Sequence, residues 1–182
     1  MTALGFSLQA KYDCSLTQAV EMLCDVGFSA ISPVWSPELP LEDLTACVAR
    51  LGMTIQSVHA PHRGQPILWD PKDPTRDTVR QQFLDCIDTC DRFGVPMAVL
   101  HGWQGLGYTF PETPLDFSAF DRIVDYAEER NVSIAFENLE GPEYLAALLN
   151  RYAGNPAVGF CWDSGHEQCY TPGWEFLSRY GN

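Results

Sequence analysis

The sequence has few cationic side chains, and this shortage limits the partners that the chain can have. It carries 11 Lys and Arg against 24 Asp and Glu, for a formal net charge of −13 over 182 residues. A protein that holds nucleic acid or an anionic membrane needs a basic surface, because contacts to phosphate supply much of the affinity. We therefore expect neither nucleic acid nor a membrane as a partner, whereas a carboxylate-rich chain suits a metal cation.

The sequence also lacks paired cysteine motifs and long hydrophobic runs. Its 7 cysteines are an odd number without C-x-x-C spacing, which argues against a disulfide framework and a zinc knuckle. No apolar run is long enough to span a bilayer, and the N-terminus shows neither a basic region nor a small-residue cleavage site. An apolar content of 46% supports a full core, so we expect a single cytoplasmic domain over residues 1–182.

Apolar runs of strand length alternate with amphipathic helical patterns along the chain. The predicted strands are 4–8, 29–34, 54–59, 95–101, 132–137 and 157–163, and the predicted helices are about 15–27, 41–51, 74–93, 116–131 and 141–153. The long segment 60–75 follows the third strand, and loops of this length usually cover or build a site. The alternation indicates an α/β fold with a parallel sheet and covering helices.

The third to sixth predicted strands each end in a side chain that could bind a metal, namely His59, His101, Glu137 and Asp163. In a (β/α)8 barrel the active site lies at the carboxyl ends of the strands, whereas a doubly wound sheet binds its ligand at one switch point. Contributions from four consecutive strands favour the barrel. His166 follows Asp163 after a Ser-Gly turn, which brings two metal-binding side chains close together.

Each of these residues also has an ordinary structural interpretation. Asp163 could cap the turn that follows it, and Glu137 could form a salt bridge inside the barrel mouth. The presence of both carboxylates favours metal binding over these roles. His59 and His101 could equally be hydrogen-bonded core histidines or direct ligands, and the sequence leaves both interpretations open.

Four motifs, in this order, make the chain resemble the xylose isomerase-like TIM-barrel superfamily, which contains sugar phosphate isomerases and epimerases and also endonuclease IV. They are Ser57-Val58-His59-Ala60-Pro61, Leu100-His101-Gly102, Phe136-Glu137-Asn138 and Trp162-Asp163-Ser164-Gly165-His166. The resemblance implies that Glu137 and Asp163 are metal ligands and that Glu137 is the catalytic base. It implies that His166 contacts substrate or a further metal. For His59 and His101 it implies either a second metal, as in the endonuclease branch, or a place in the substrate pocket.

The function implied by the resemblance is a metal-dependent sugar or sugar phosphate isomerase or epimerase, acting by proton transfer next to a carbonyl. Carboxylate and imidazole ligands suit Mn, Mg, Zn or Co. Two alternatives are an endonuclease IV-like zinc phosphodiesterase, which the acidic charge disfavours, and a truncated barrel without catalysis. Trp35 and Trp103 are pocket candidates because aromatic faces stack on sugar rings. His62 could meet an anionic substrate, although loop surface is its more ordinary place.

The chain is shorter than the barrels it resembles. Such barrels have roughly 250 residues and draw further His and Glu ligands from the seventh and eighth strands. This chain stops at Asn182, and neither Glu167 nor Glu175 ends a predicted strand, so we expect about six βα units. Free edges on the first and sixth strands would then indicate either a truncated product or an open barrel completed by a homo-oligomer.

Overall fold

The computed structural model describes residues 4–9 and 12–181, in which strands and helices alternate as the sequence predicts. The strands are β1 (Gly5–Leu8), β2 (Ala30–Pro33), β3 (Thr54–Ile55), β4 (Val58–His59), β5 (Met97–His101), β6 (Ser133–Glu137) and β7 (Val158–Cys161). The helices are α1 (Leu16–Asp25), α2 (Leu41–Leu51), α3 (Gln65–Leu68), α4 (Arg76–Phe93), α5 (Ser118–Glu129), α6 (Pro142–Arg151), α7 (Ser164–Tyr170) and α8 (Phe176–Tyr180).

The strands lie side by side in the order in which they occur in the chain. β1, β2 and β3 pair in parallel, and so do β4, β5, β6 and β7. A bridge between Val34 and His59 joins the two sheets, and the N–H of Trp35 donates to the carbonyl oxygen of His59 at 2.8 Å. Sequential parallel order with intervening helices is the arrangement of a (β/α)8 barrel, so the predicted fold class is confirmed.

Most predicted elements agree with the structure to within about two residues, but two predicted strands change in ways that affect the site. The third predicted strand, 54–59, is divided into β3 and β4, because β3 pairs with β2 whereas β4 pairs with β5. The sixth strand ends at Cys161 and not at Asp163, because the Asp163 side chain caps α7 where the sequence suggested a turn. The short helices α3, α7 and α8 were also not predicted, since they contain too few turns to show a helical period.

The longer helices bury apolar stripes against the sheet. The buried residues of α5 recur at helical spacing, and they are Ala119, Phe120, Ile123, Val124 and Ala127. Three predicted helix boundaries are confirmed: Ser15 forms a capping box with Gln18, while Gly52 and Gly94 end α2 and α4 in left-handed conformation. α1 ends at Asp25, before the predicted end at Gly27. None of the helices within the described ranges is both long and apolar enough to cross a membrane.

Two buried side chains fix the segments that follow β4 and β5. Arg76 donates from Nε to the carbonyl oxygen of Leu68 at 2.8 Å and from a terminal nitrogen to Asp116 Oδ1 at 2.7 Å. Trp69 donates from Nε1 to the carbonyl oxygen of Gly102 at 2.8 Å. The long segment after β4 is therefore held against its neighbour, and this stabilises the region around the ends of β4 and β5.

Candidate functional site

A cavity of about 510 Å³ is lined by residues from the strands and from the segments that follow them. Every strand except β3 contributes a lining residue, and Gln56 directly follows β3. The lining includes Ser7, Gln9, Ser32, His59, His62, His101, Gln104, Glu137, Cys161, Asp163 and His166. Most of its lining residues carry polar or charged side chains, and none of its described members is Lys or Arg. All five of the predicted strand-end and turn ligands therefore face one space.

Glu137 lies among three imidazoles. Its Oε2 atom is 3.2 Å from Nε2 of His59 and 3.4 Å from Nε2 of His101. Its Oε1 atom is 3.2 Å from Nδ1 of His166. The β5–β6 ladder explains part of this arrangement, because His101 and Glu137 are register partners at the ends of adjacent strands and partners in a ladder project to the same side.

The electrostatics of this cluster favour an ionised carboxylate. Burial alone would raise the pKa of Glu137, but the neighbouring His101 and His59 imidazoles lower it well below its ordinary value. Burial also lowers the pKa of His101, and the attraction of Glu137 opposes that shift only in part. The site therefore combines a buried negative charge with an imidazole that stays largely neutral at neutral pH.

The ring nitrogens of His101 have no hydrogen-bond partners, and those of His59 are both in contact with oxygen atoms. His101 is only 2% exposed, yet neither of its ring nitrogens has a hydrogen-bond partner, which is unusual for a buried polar group. The 3.4 Å approach of its Nε2 atom to Glu137 is an electrostatic contact without hydrogen-bond geometry. Nδ1 of His59 lies 2.7 Å from the carbonyl oxygen of Ala60. This contact requires a proton on Nδ1 and makes Nε2 the ring atom that faces Glu137.

The donor atoms fit a divalent metal. Among the described residues, His101, Glu137 and His166 form one group whose ligand atoms lie within 4.8 Å of one another, and His59, His62 and His101 form a second. Imidazole with carboxylate is a donor set for Zn, Mn or Co. A cation would also compensate the buried Glu137 charge and the unpartnered nitrogens of His101.

Asp163 lies at the cavity but outside both groups of donor atoms. Its Oδ1 atom accepts a hydrogen bond from the backbone N–H of His166 at 2.7 Å and so caps α7. Its Oδ2 atom is 3.8 Å from Nδ1 of His166. The capping interpretation is therefore confirmed, and it leaves one carboxylate oxygen free. Metal binding by Asp163 stays a prediction.

Asn138 has a role that the sequence does not reveal. It is fully buried, and its side-chain amide donates to the backbone oxygen of Asp163 and accepts from its backbone N–H, both at 2.7 Å. The backbone oxygen of Asn138 lies 2.9 Å from Nδ1 of His166. One residue therefore fixes the start of α7 and orients His166 beside Glu137. Its position directly after Glu137 was the only available signal, because its partners lie in the next βα unit.

Cys161 was also missed as a cavity residue. It is the register partner of Glu137 in the β6–β7 ladder. Burial raises the pKa of its thiol to about 12, and the nearby charges of Glu137 and Asp163 act in the same direction. The thiol is therefore neutral, and it is neither a nucleophile nor a ready metal ligand in this state.

The three further pocket candidates occupy different places. His62 lines the cavity and stacks on His59, with ring centroids 4.2 Å apart. Trp35 donates from Nε1 to a threonine side chain of α4 at 3.1 Å. Trp103 stacks on Tyr144, with ring centroids 4.3 Å apart. Neither tryptophan lines the cavity, because both rings pack against other parts of the chain.

Comparison with known proteins agrees with this architecture. The sequence profile described as xylose isomerase-like TIM barrel matches residues 17–182. The uncharacterized protein y4fM of Sinorhizobium fredii (strain NBRC 101917 / NGR234) is 28% identical over 214 residues, which cover 94% of this chain and 67% of that protein.

Two solved structures have similar folds at low sequence identity. A structure of L-ribulose 3-epimerase gives a TM-score of 0.73 at 14% identity, and the match covers 92% of this chain and 62% of that chain. The TTHB071 protein from Thermus thermophilus, soaked with ZnCl2, gives a TM-score of 0.66 at 23% identity. This match covers 92% of this chain and 68% of that chain. The chain therefore spans less than two thirds of the epimerase. At these identities the likeness shows a shared fold.

Proposed function

This chain belongs to the xylose isomerase-like TIM barrel family, and we propose that it carries the metal-binding and base-bearing side of a sugar isomerase or epimerase. The proposed reaction moves a proton at a carbon next to a carbonyl group. One observation carries the proposal: a buried, ionised Glu137 lies among imidazoles at the carboxyl ends of parallel strands. The resemblance in fold to an L-ribulose 3-epimerase supports the reaction class.

The two oxygens of Glu137 have different surroundings, and this suggests a division of tasks. Oε2 faces His59 and His101, the side where the unpartnered nitrogens of His101 favour a metal. Oε1 faces His166, which is the most exposed of the three imidazoles that contact Glu137. We assign removal of the substrate proton to Oε1. A divalent ion bound at this site would polarise the substrate carbonyl and stabilise the negative charge that develops on its oxygen.

The ordinary role of a general base requires a pKa near the working pH. The pKa of Glu137 lies well below its ordinary value while His101 and His59 face it. In the assembled site His59 and His101 would bind the cation, which also keeps Glu137 ionised. Oε1, beside His166, is then the oxygen left to accept the substrate proton.

His166 fits a substrate-contacting role better than a ligand role. Its Nδ1 atom lies 2.9 Å from the carbonyl oxygen of Asn138 and 3.2 Å from Oε1 of Glu137. If Nδ1 carries the proton, it can donate to either of these oxygens, and Nε2 keeps its lone pair. We propose that His166 positions a substrate hydroxyl group next to the Glu137 base.

The cavity lining suits a polyhydroxylated substrate. Ser7, Ser32, Gln9 and Gln104 offer donors and acceptors without charge. A phosphodiesterase acting on nucleic acid would need a basic groove, and the described lining contains neither Lys nor Arg. This contrast favours a sugar over a nucleic acid backbone and, within the described lining, a neutral sugar over a phosphorylated one.

Solvent exchange tests the proposed reaction across many candidate sugars. The protein, supplied with Mn²⁺ or Co²⁺, is incubated in D₂O with a panel of aldoses and ketoses, and NMR follows deuterium entering the carbon next to the carbonyl. Wild type should catalyse exchange for at least one sugar. Glu137→Gln should lower the rate by about 10²–10⁴-fold, whereas Glu112→Gln, at an exposed position away from the cavity, should not. Full exchange by Glu137→Gln, or none by wild type, would reject the proposal.

A further inference from the structure

His62 has no task in the proposed reaction, although it lies beside the two histidines that face Oε2 of Glu137. Its ring stacks on His59 with centroids 4.2 Å apart and an angle of 11° between the planes. The ring of His101 lies 4.7 Å from His59 and 5.9 Å from His62. One nitrogen from each ring can be chosen so that all three lie within 4.8 Å of one another. The chain has only 4 histidines, and three of them meet here.

We propose that His62 is a metal ligand and that, with His59 and His101, it forms a three-imidazole position for a borderline divalent ion such as Zn²⁺ or Co²⁺. Three histidines and one open position form a known coordination set for catalytic zinc. This position lies next to the group that contains Glu137, and the two groups share His101. The proposal goes beyond the proposed function, because metal binding here can be measured without any sugar.

Two observations besides proximity show that the other two histidines of the group, His59 and His101, have donor atoms to offer a metal. His101 is 2% exposed, and both of its ring nitrogens lack hydrogen-bond partners, so it has a lone pair to offer. The Nδ1 atom of His59 is committed to the carbonyl oxygen of Ala60 at 2.7 Å, which leaves Nε2 as its donor atom. Metal-binding histidines commonly use the other ring nitrogen in this way, because the hydrogen bond fixes the tautomer.

The protonation state of His62 is compatible with this role. Burial lowers its pKa to about 4, and the neighbouring His59 and His101 lower it further than Glu137 raises it. The ring is therefore neutral at neutral pH, which is the form that binds metals.

Ligation requires a change in the orientation of His62. A metal lies in the plane of each imidazole that binds it, whereas the rings of His59 and His62 are stacked face to face. His62 must therefore turn about its side-chain torsions. It is partly exposed and lies in the segment between β4 and α3, which leaves room for this rotation.

A Co²⁺ titration of the 182-residue protein, followed by visible absorption, tests the proposal. The decisive variant is His62→Phe, which keeps an aromatic ring to stack on His59 but has no nitrogen. We expect this variant to lose more than about 100-fold in Co²⁺ affinity at one site, a larger effect than the 10–100-fold typical of a lost outer-shell partner. The absorption bands should also change. Zn²⁺ affinities measured by competition with a chelator should also be higher for wild type than for His62→Phe.

His166→Phe is the matched control, because His166 belongs to the Glu137 group and not to the three-imidazole group. It should retain the Co²⁺ bands that His62→Phe loses. If His62→Phe is poorly folded by circular dichroism, His62→Asn replaces it in the same titration. A wild-type spectrum and affinity in the folded His62 variant would overturn the proposal and leave His62 as a stacking residue. So would the absence of Co²⁺ binding by wild type. Co²⁺ bands that depend on His62 in a protein without deuterium exchange would reject only the proposed reaction.

Discussion

Nδ1 of His166 lies 3.2 Å from Oε1 of Glu137, although the two residues belong to different βα units. The contact depends on α7, which begins directly after β7 and turns His166 back toward the end of β6. Asp163 caps this helix, and Asn138 holds the backbone of Asp163 by two hydrogen bonds. The catalytic arrangement that we propose therefore rests on a buried amide and a helix cap.

Asn138→Ala should weaken catalysis and stability together. The substitution removes two hydrogen bonds to Asp163 in a fully buried place, so we expect a loss of about 2–3 kcal/mol in the free energy of unfolding. Displacement of His166 should lower the rate of deuterium exchange by about 10²-fold. Urea denaturation and the exchange assay in D₂O measure the two effects. Asn150→Ala, at an exposed position, should change neither, and a wild-type exchange rate in Asn138→Ala would refute the positioning role.

Asp163→Asn separates the capping role of Asp163 from its predicted metal role. An amide oxygen can still accept the hydrogen bond from the N–H of His166, so the stability of the metal-free protein should change by less than about 0.5 kcal/mol. The lost negative charge should lower affinity for a divalent ion by more than about 10-fold if Asp163 is a ligand. Thermal unfolding and metal titration give both values. Unchanged metal affinity would assign Asp163 to the helix cap alone.

Asp116→Asn should destabilise the fold through the buried Arg76. The Arg76 guanidinium contacts Asp116 at 2.7 Å, with side chains 10% and 33% exposed, respectively. Loss of one partner of a fully buried ion pair costs about 3–5 kcal/mol, and the partial exposure of Asp116 reduces our expectation to about 2 kcal/mol. Asp77→Asn, whose side chain is 83% exposed, is the control. Equal stability of the two variants would contradict the anchoring role of Arg76.

The same pair should contribute to acid sensitivity. Hydrogen bonds from Ser118 and the guanidinium of Arg76 lower the pKa of Asp116 from 3.8 to about 2. A lowered carboxyl pKa stabilises the folded state above the unfolded value, and this contribution is lost as pH falls from 3.8 toward 2. Stability profiles of wild type and Asp116→Asn should therefore converge over this range. Parallel profiles down to pH 2 would show that Asp116 does not contribute in this way.

The exposed edge of β1 provides a test of self-association. Phe6 of β1, Met22 of α1 and Val26, directly after α1, are 37%, 64% and 72% exposed, which is unusual for large apolar side chains grouped around one groove. If copies of the chain complete one another's sheets, sedimentation velocity should show an oligomer. The double variant Met22→Glu, Val26→Glu should shift it toward the monomer. A well-folded monomer of wild type at high concentration would reject completion by a second copy.

The order of strands and helices was predictable because each long element shows a clear period and a recognisable end. Ser15, Gly52 and Gly94 mark helix boundaries by local chemistry alone. The close approach of His59 to Glu137 was also predictable from the order of the strands. Parallel strands place their carboxyl ends on one side, so side chains that end consecutive strands must meet.

The rest depended on contacts that no local pattern encodes. Asn138 pairs with the backbone of Asp163 in the next βα unit, and the only sign of its importance in the sequence is its position directly after Glu137. Trp35 and Trp103 lie near strand ends, as substrate-stacking residues would, but their rings pack away from the cavity. Aromatic residues suit both packing and stacking, so position along the chain did not distinguish the two roles.

The metal content of the purified 182-residue protein is the most direct test of the central claim, that Glu137 and its imidazoles bind a divalent ion. Wild type and Glu137→Gln would be equilibrated with Zn²⁺ or Mn²⁺, dialysed and measured by elemental analysis. The substitution keeps the size of the side chain and removes its charge. We expect near-stoichiometric metal in wild type and a clearly lower content in Glu137→Gln, in which only the three-imidazole group can still hold an ion. No metal in wild type, or equal metal in both proteins, would contradict the account.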